Sequence, residues 1–386
     1  MRIFIFPLIV LSILLPACQN EPDPTGIGLI PEGDLVDARR FDSVRDSGTV
    51  RSSTAFVEVT GETSPALSVG EAEGYRARSL IRWFTIADTI GQGGRIVSAT
   101  MRLHTAPYHI GDASTPLTIE VREVKSFWSS FTLTSDSLDA LDIATEPSGS
   151  VTAALGDDDS IDIAIDTALV RSWLVKLDSG LFYENYGVLI EAPGGGGIRA
   201  FQSAEGSQPP ELTIVIETAS GLDTIRGGTI EDTYVATGPD VTGESGITVH
   251  GALATRGKLF FDISGIPPAS IINHVSLSVT IDRSRTTDHY SGRDSVLVYQ
   301  NFDSTTAETL GTAVLTRVDG DNPDRLLAEG TMLLRAVQTW VNGKGNHGLV
   351  LSHVGEASDI DRMTFFGAEA DSTRRPRLVV TYTSKP

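Results

Sequence analysis

Leu333-Leu334-Arg335-Ala336-Val337-Gln338-Thr339-Trp340-Val341-Asn342-Gly343 runs into Asn346-His347-Gly348-Leu349-Val350-Leu351. Leu333, Leu334, Val337 and Val341 recur at helical spacing, so one face of a short helix is apolar. Asn342-Gly343 ends it, because glycine accepts the left-handed backbone of a helix C-terminus. Leu349-Val350-Leu351 then reads as a buried strand. The same order occurs earlier, in Leu169-Val170-Arg171-Ser172-Trp173-Leu174, a turn at Gly180, and Asn185-Tyr186-Gly187-Val188-Leu189-Ile190. The parallel continues: Phe201 and Pro210-Glu211-Leu212-Thr213-Ile214-Val215 answer Phe366 and Pro376-Arg377-Leu378-Val379-Val380-Thr381. The chain reads as a duplication.

Around these units lie many short alternating runs split by Gly, Pro, Asn and Asp. Leu80–Ile86, Ala99–His104 and Leu117–Val121 belong to the first half; Leu259–Ile263, Val275–Thr280 and Val296–Tyr299 belong to the second. Phe127–Asp142 reads as an insertion. The pattern predicts an all-β protein of two tandem jelly-roll-like antiparallel β-sandwiches, each with a short Trp-bearing helix. The expected divisions are 1–18, a signal; 19–47, a flexible tether rich in Pro, Asp, Glu and Gly; 48–218, the first sandwich; and 221–386, the second.

Ile3–Leu15 is apolar but too short to span a bilayer, and it follows a positive Met1-Arg2. Leu15-Pro16-Ala17-Cys18 resembles a bacterial lipobox. That resemblance implies lipidation of Cys18, a membrane anchor, and an outer-membrane or cell-surface location. Cys18 is the only cysteine, so after acylation no disulfide could form and burial must hold the fold.

Each half also resembles a DNRLRE-type domain, related to carbohydrate-binding modules that include alginate binders. The second half carries the pattern better, in Glu231-Asp232-Thr233-Tyr234-Val235, Lys258–Ile263, the Trp340–Gly348 unit and Arg375-Pro376-Arg377-Leu378. In the first half, Trp83-Phe84 replaces the usual Phe-Asp. The resemblance implies a non-catalytic surface protein that binds polysaccharide, with an adhesion protein holding another surface protein as the alternative.

With 50 acidic and 30 basic side chains, the chain has a net charge of −20. That excludes a nucleic-acid partner, which requires a basic field, and confines any anionic ligand to a local cationic patch. Arg374, Arg375 and Arg377 form one cluster, and Arg283 and Arg285 another. Tyr108-His109 and His289-Tyr290, read as corresponding loops, could stack on sugar rings. Asp157-Asp158-Asp159 and the loop from Asp319 to Asp324 are rich in oxygen, which leaves calcium possible, although neither has an EF-hand spacing. The seven histidines show no zinc spacing. Gly343–Gly348 spells G-x-G-x-x-G, but it follows a helix and precedes a strand, the reverse of a dinucleotide fingerprint. Gly194–Gly197 reads as a hairpin loop. No Gly-x-Ser-x-Gly elbow supports a hydrolase, and no enzyme is expected.

Overall fold

The computed structural model describes residues 38–46, 48–57, 64–83, 95–157, 159–173, 185–253, 255–287, 289, 294–356 and 358–384. The expected signal, Cys18 and most of the expected tether lie outside them. The protein is mainly β, built from several antiparallel sheets. No helix among the described residues is long and apolar enough to cross a membrane.

In the second half, one sheet joins β1 (Ala38–Asp42), β22 (Arg377–Thr383), β15 (Ile271–Thr280), β19 (Asn322–Glu329) and β18 (Arg317–Asp319), in that order. Another joins β17 (Val314–Leu315), β16 (Val296–Gln300), β20 (Leu349–His353), β14 (Thr255–Phe261) and β2 (Val50–Phe56). The ribbon β13 (Ile247–His250) with β21 (Arg362–Phe365) completes it. Strand alternation sends Leu277, Leu326 and Val380 inward from the first sheet and Leu259, Val298 and Leu351 inward from the second, into one core.

The first half repeats most of this pattern, although β18 has no counterpart among its described residues. Its sheets run through β11 (Glu211–Thr218), β5 (Arg95–Ile110) and β8 (Ser160–Ile165), and through β4 (Tyr75–Trp83), β9 (Val188–Glu191), β6 (Leu117–Glu123) and β7 (Gly149–Ala153). Its ribbon is β3 (Ala66–Ala72) with β10 (Gly197–Gln202), and here β3 also pairs with β4 and β10 with β5, which joins the two sheets into one. Gly194–Gly197 is therefore not a hairpin loop, because β9 and β10 it joins are not paired neighbours.

The helices plug these cores as their spacing predicts. In α2 (Thr167–Ser172), Asp166 caps the N-terminus and Leu169, Val170 and the following Trp173 are buried. In α3 (Thr331–Val341), the buried face is Leu333, Ala336, Val337, Trp340 and Val341, and Gly343 takes φ +84° just beyond the end. A third helix, α1 (Ser135–Asp139), lies in the insertion, whose Trp128, Leu133 and Leu138 pack on Leu80 and Leu189.

The edges of the two units are exchanged. β1 and β2 precede the first half in the chain, yet β1 pairs with β22 and β2 with β14, both in the second half. β12 (Gly221–Thr237) enters the second half in sequence, yet it pairs with β11 and then with β4 of the first. Ala219-Ser220 is accordingly the tip of a β11–β12 hairpin, not a linker. Ser52 stands opposite Leu259 and Asp232 stands opposite Ile81, so the two arms occupy equivalent places in one another's units. Part of the expected 19–47 tether is thus strand: Phe41, the only large apolar side chain in β1, is buried in the second core.

Candidate functional site

The outer face of the β1-β22-β15-β19 sheet is the strongest candidate for binding. Period-2 alternation that buries Leu378 and Val380 turns Arg377, Val379 and Thr381 outward; on β15 it turns Ser276 and Ser278 to the same face, and on β19 Arg325 and Leu327. Two adjoining hollows of about 430 and 380 Å³ share Ser278, Arg325 and Arg377. They are lined by five arginines (Arg40, Arg45, Arg325, Arg375 and Arg377) and by no carboxylate.

Asp42, opposite Val379 in the β1–β22 pairing, is buried and anchors this face. It accepts two hydrogen bonds from Arg377, one of 2.9 Å from Nε. Burial opposes its ionisation, but Arg377 and the Val44 N–H outweigh that and hold its carboxyl below the usual range. The other guanidiniums are less fully spent. Arg325 lies 3.5 Å from Asp319. Arg45 lies 3.7 Å from Asp42. Arg375 reaches the Val44 carbonyl oxygen at 3.4 Å, while its buried Nε has no hydrogen-bond partner among the described residues. The equivalent face of the first unit carries paired charge instead: Arg102 with Asp162, Arg95 with Glu217, and Arg226 with Glu211.

The other expected site residues are scattered. Arg374 pairs with Asp371 at 2.6 Å and lies over the Phe366 ring. Arg283 is held by Asp294 and Asp324, and Arg285 by Asp282. Tyr108 is not at a loop tip: it lies within β5, is 5% exposed, and offers no ring face to a sugar. Its hydroxyl donates to Asp361 Oδ1 at 3.0 Å and accepts from the Ile360 N–H, so it fastens the first unit to the second. Burial, with the neighbouring Asp361 charge, keeps that phenol protonated. His289 joins the same carboxylate through Nδ1 at 2.9 Å; that hydrogen bond raises its pKa against the effect of burial. Close by, His250 bridges the Tyr75 hydroxyl and Thr255 Oγ1; desolvation lowers its pKa to about 3 and keeps it neutral. His109 is half-exposed, 3.8 Å from Asp157. Tyr290 and Asp158 lie outside the described residues. Asp319 and Asp324 face arginines, and no group of three or more His, Cys, Asp or Glu among the described residues could hold a metal ion.

Sequence reading found Arg375 and Arg377 but missed Arg40, Arg45 and Arg325. Arg325 could have been found from its alternation with buried Leu326. Arg40 and Arg45 sit in a segment that reads as tether, and only strand pairing brings them to this face.

No family model matches the chain, and no curated protein does. Among solved structures, "Structure of the Macrobrachium rosenbergii Nodavirus" aligns at 10% identity over 99% of this chain and 97% of that one, with a TM-score of 0.16. A likeness that low carries no argument.

Proposed function

We propose that the protein is a non-catalytic, lipid-anchored surface protein whose two units are jelly-roll-like β-sandwiches, and that its second unit binds acidic polysaccharide on the arginine-lined sheet face. The observation that carries this reading is the concentration of five arginines, without a lining carboxylate, on one face of a chain of net charge −20. Guanidinium groups suit carboxylates because their planar fork makes paired hydrogen bonds. A groove two hollows long suits a polymer better than a single ion. An acidic chain gains no long-range attraction to such a polymer, so affinity must come from these contacts and must fall with salt.

The test is calorimetry of the chain with polyuronate oligosaccharides at two salt concentrations. Arg40→Glu with Arg325→Glu, which spares the Arg377–Asp42 pair, should weaken binding by at least about tenfold without moving the unfolding transition. If no acidic oligosaccharide gives heat, the polysaccharide reading fails, and an acidic protein surface becomes the ligand to seek. For the anchor, Cys18→Ser should abolish labelling by palmitate; labelling equal to wild type would overturn it.

A further inference from the structure

We infer that the first unit carries a separate binding site for an uncharged sugar ring, in the cleft between Phe127, Phe131 and Asp232. The cleft has a volume of about 440 Å³ and is also lined by Arg82, Glu205 and Glu231. Phe127 and Phe131 are 68% and 66% exposed. They stand on the insertion, where Trp128, Leu133 and Leu138 are buried and Leu141 is partly buried. The two largely exposed phenyl rings beside a polar cleft, that of Phe127 with the Arg82 guanidinium 5.8 Å from its centroid, present flat apolar faces on which the C–H side of a pyranose packs.

The floor of the cleft is unusual for a reason the other half of the chain exposes. Asp232 Oδ2 accepts from the Ala204 N–H at 2.8 Å. At the equivalent place in the second unit, Ser52 Oγ accepts from the Ala368 N–H at the same 2.8 Å. A neutral hydroxyl therefore suffices for the structural bond. Asp232 instead brings a second carboxyl oxygen, and no hydrogen bond among the described residues engages it. Yet the side chain is 4% exposed, and burying an ionisable group costs stability. Burial, with Glu205 and Glu231 nearby, pushes its pKa up to about 7. A half-protonated carboxyl both donates to and accepts from hydroxyl groups.

The charge of the cleft selects the ligand class. Arg82 is paired with Glu231, whose Oε1 also accepts from the Ser130 N–H and Oγ. Glu205 and Asp232 add further acid. The site disfavours anions, unlike the arginine face of the second unit, and suits hydroxyl-rich neutral rings.

The experiment uses the whole chain and cellohexaose, maltohexaose, xylohexaose and mannohexaose as probes, read by saturation-transfer NMR and calorimetry. At least one should receive saturation at its ring C–H protons. Phe127→Ala and Phe131→Ala should each weaken its binding by about tenfold; both side chains are exposed, so the unfolding transition should not move. Arg40→Glu with Arg325→Glu should leave this binding unchanged, so failure of the arginine face and failure of this cleft are read separately. The inference is overturned if none of the four binds at millimolar concentration, if the double phenylalanine variant binds as well as wild type, or if the arginine variant loses the neutral ligand. It is equally overturned if the phenylalanine variants lose a polyuronate rather than a neutral hexamer.

Discussion

Asp232 shows what one side chain can do where its counterpart is serine. Its pKa, about 7 in the folded chain, lies above the ordinary aspartate value near 4. The folded state therefore holds its proton more tightly than the unfolded state does. Its contribution to stability is greatest below the unfolded pKa, falls as pH rises from about 4 to about 7, and is level above that. Asp232→Asn keeps an oxygen for the Ala204 N–H and removes the titration. The variant should match wild type near pH 4 and exceed it in stability above pH 7, by up to about 4 kcal/mol for a shift of three units. Urea midpoints at pH 4.5 and 7.5 check this. The comparison must be between variant and wild type, because His250 acts in the opposite direction: its folded pKa of about 3 makes stability fall as pH drops below the ordinary imidazole value near 6.5. An equal pH dependence in the two proteins would show that Asp232 is not the titrating group.

At the level of single elements, the duplication reaches hydrogen-bond detail. Asn346 donates from Nδ2 to the Phe261 carbonyl oxygen at 2.8 Å and accepts the Gly348 N–H at 3.0 Å. Asn185 does the same with Trp83 at 3.2 Å and Gly187 at 3.0 Å. Gly187 and Gly348 have φ of +76° and +85°, and a Cβ on either would run into a strand carbonyl, that of Ile81 or Leu259. Asn346→Ala should cost about 1–3 kcal/mol, the penalty for leaving buried groups unpaired. Gly348→Ala should cost more than about 1 kcal/mol, since strain and clash add. Equilibrium unfolding measures both, and Asn185→Ala and Gly187→Ala should repeat the pattern in the first unit. These elements were legible because helix spacing, a capping glycine and an apolar triplet are local signals. One pairing was read a residue out: the side chain matching buried Phe201 is Phe365, while Phe366 turns outward beneath Arg374. The arginine face was only half legible, because Arg40 and Arg45 reach it through a strand whose partner lies more than 300 residues away. The Phe127–Phe131 cleft was hidden for a related reason. Nothing in a single sequence distinguishes the exposed Phe127 from the buried Trp128.

At the scale of the whole molecule, each unit is finished by a strand that neighbours the other in sequence. A piece cut at 48–218 would lose β12, and one cut at 221–386 would lose both β1 and β2; neither should show a cooperative transition, whereas 64–237 should. The exchange itself can be trapped. Ser53 lies opposite Lys258 across β2 and β14, so Ser53→Cys with Lys258→Cys, in a Cys18→Ala background, should oxidise to a disulfide within one chain at high dilution. Disulfide-linked dimers on a non-reducing gel would place the exchange between chains instead. The lacing also sets the path of a mechanical load. A pull applied at Ala38, the first residue of β1, meets the second unit before it can reach the first. The unit that comes second in sequence is therefore the first to bear that tension: the arginine face sits on the loaded sheet, and the phenylalanine cleft belongs to the unit reached after it.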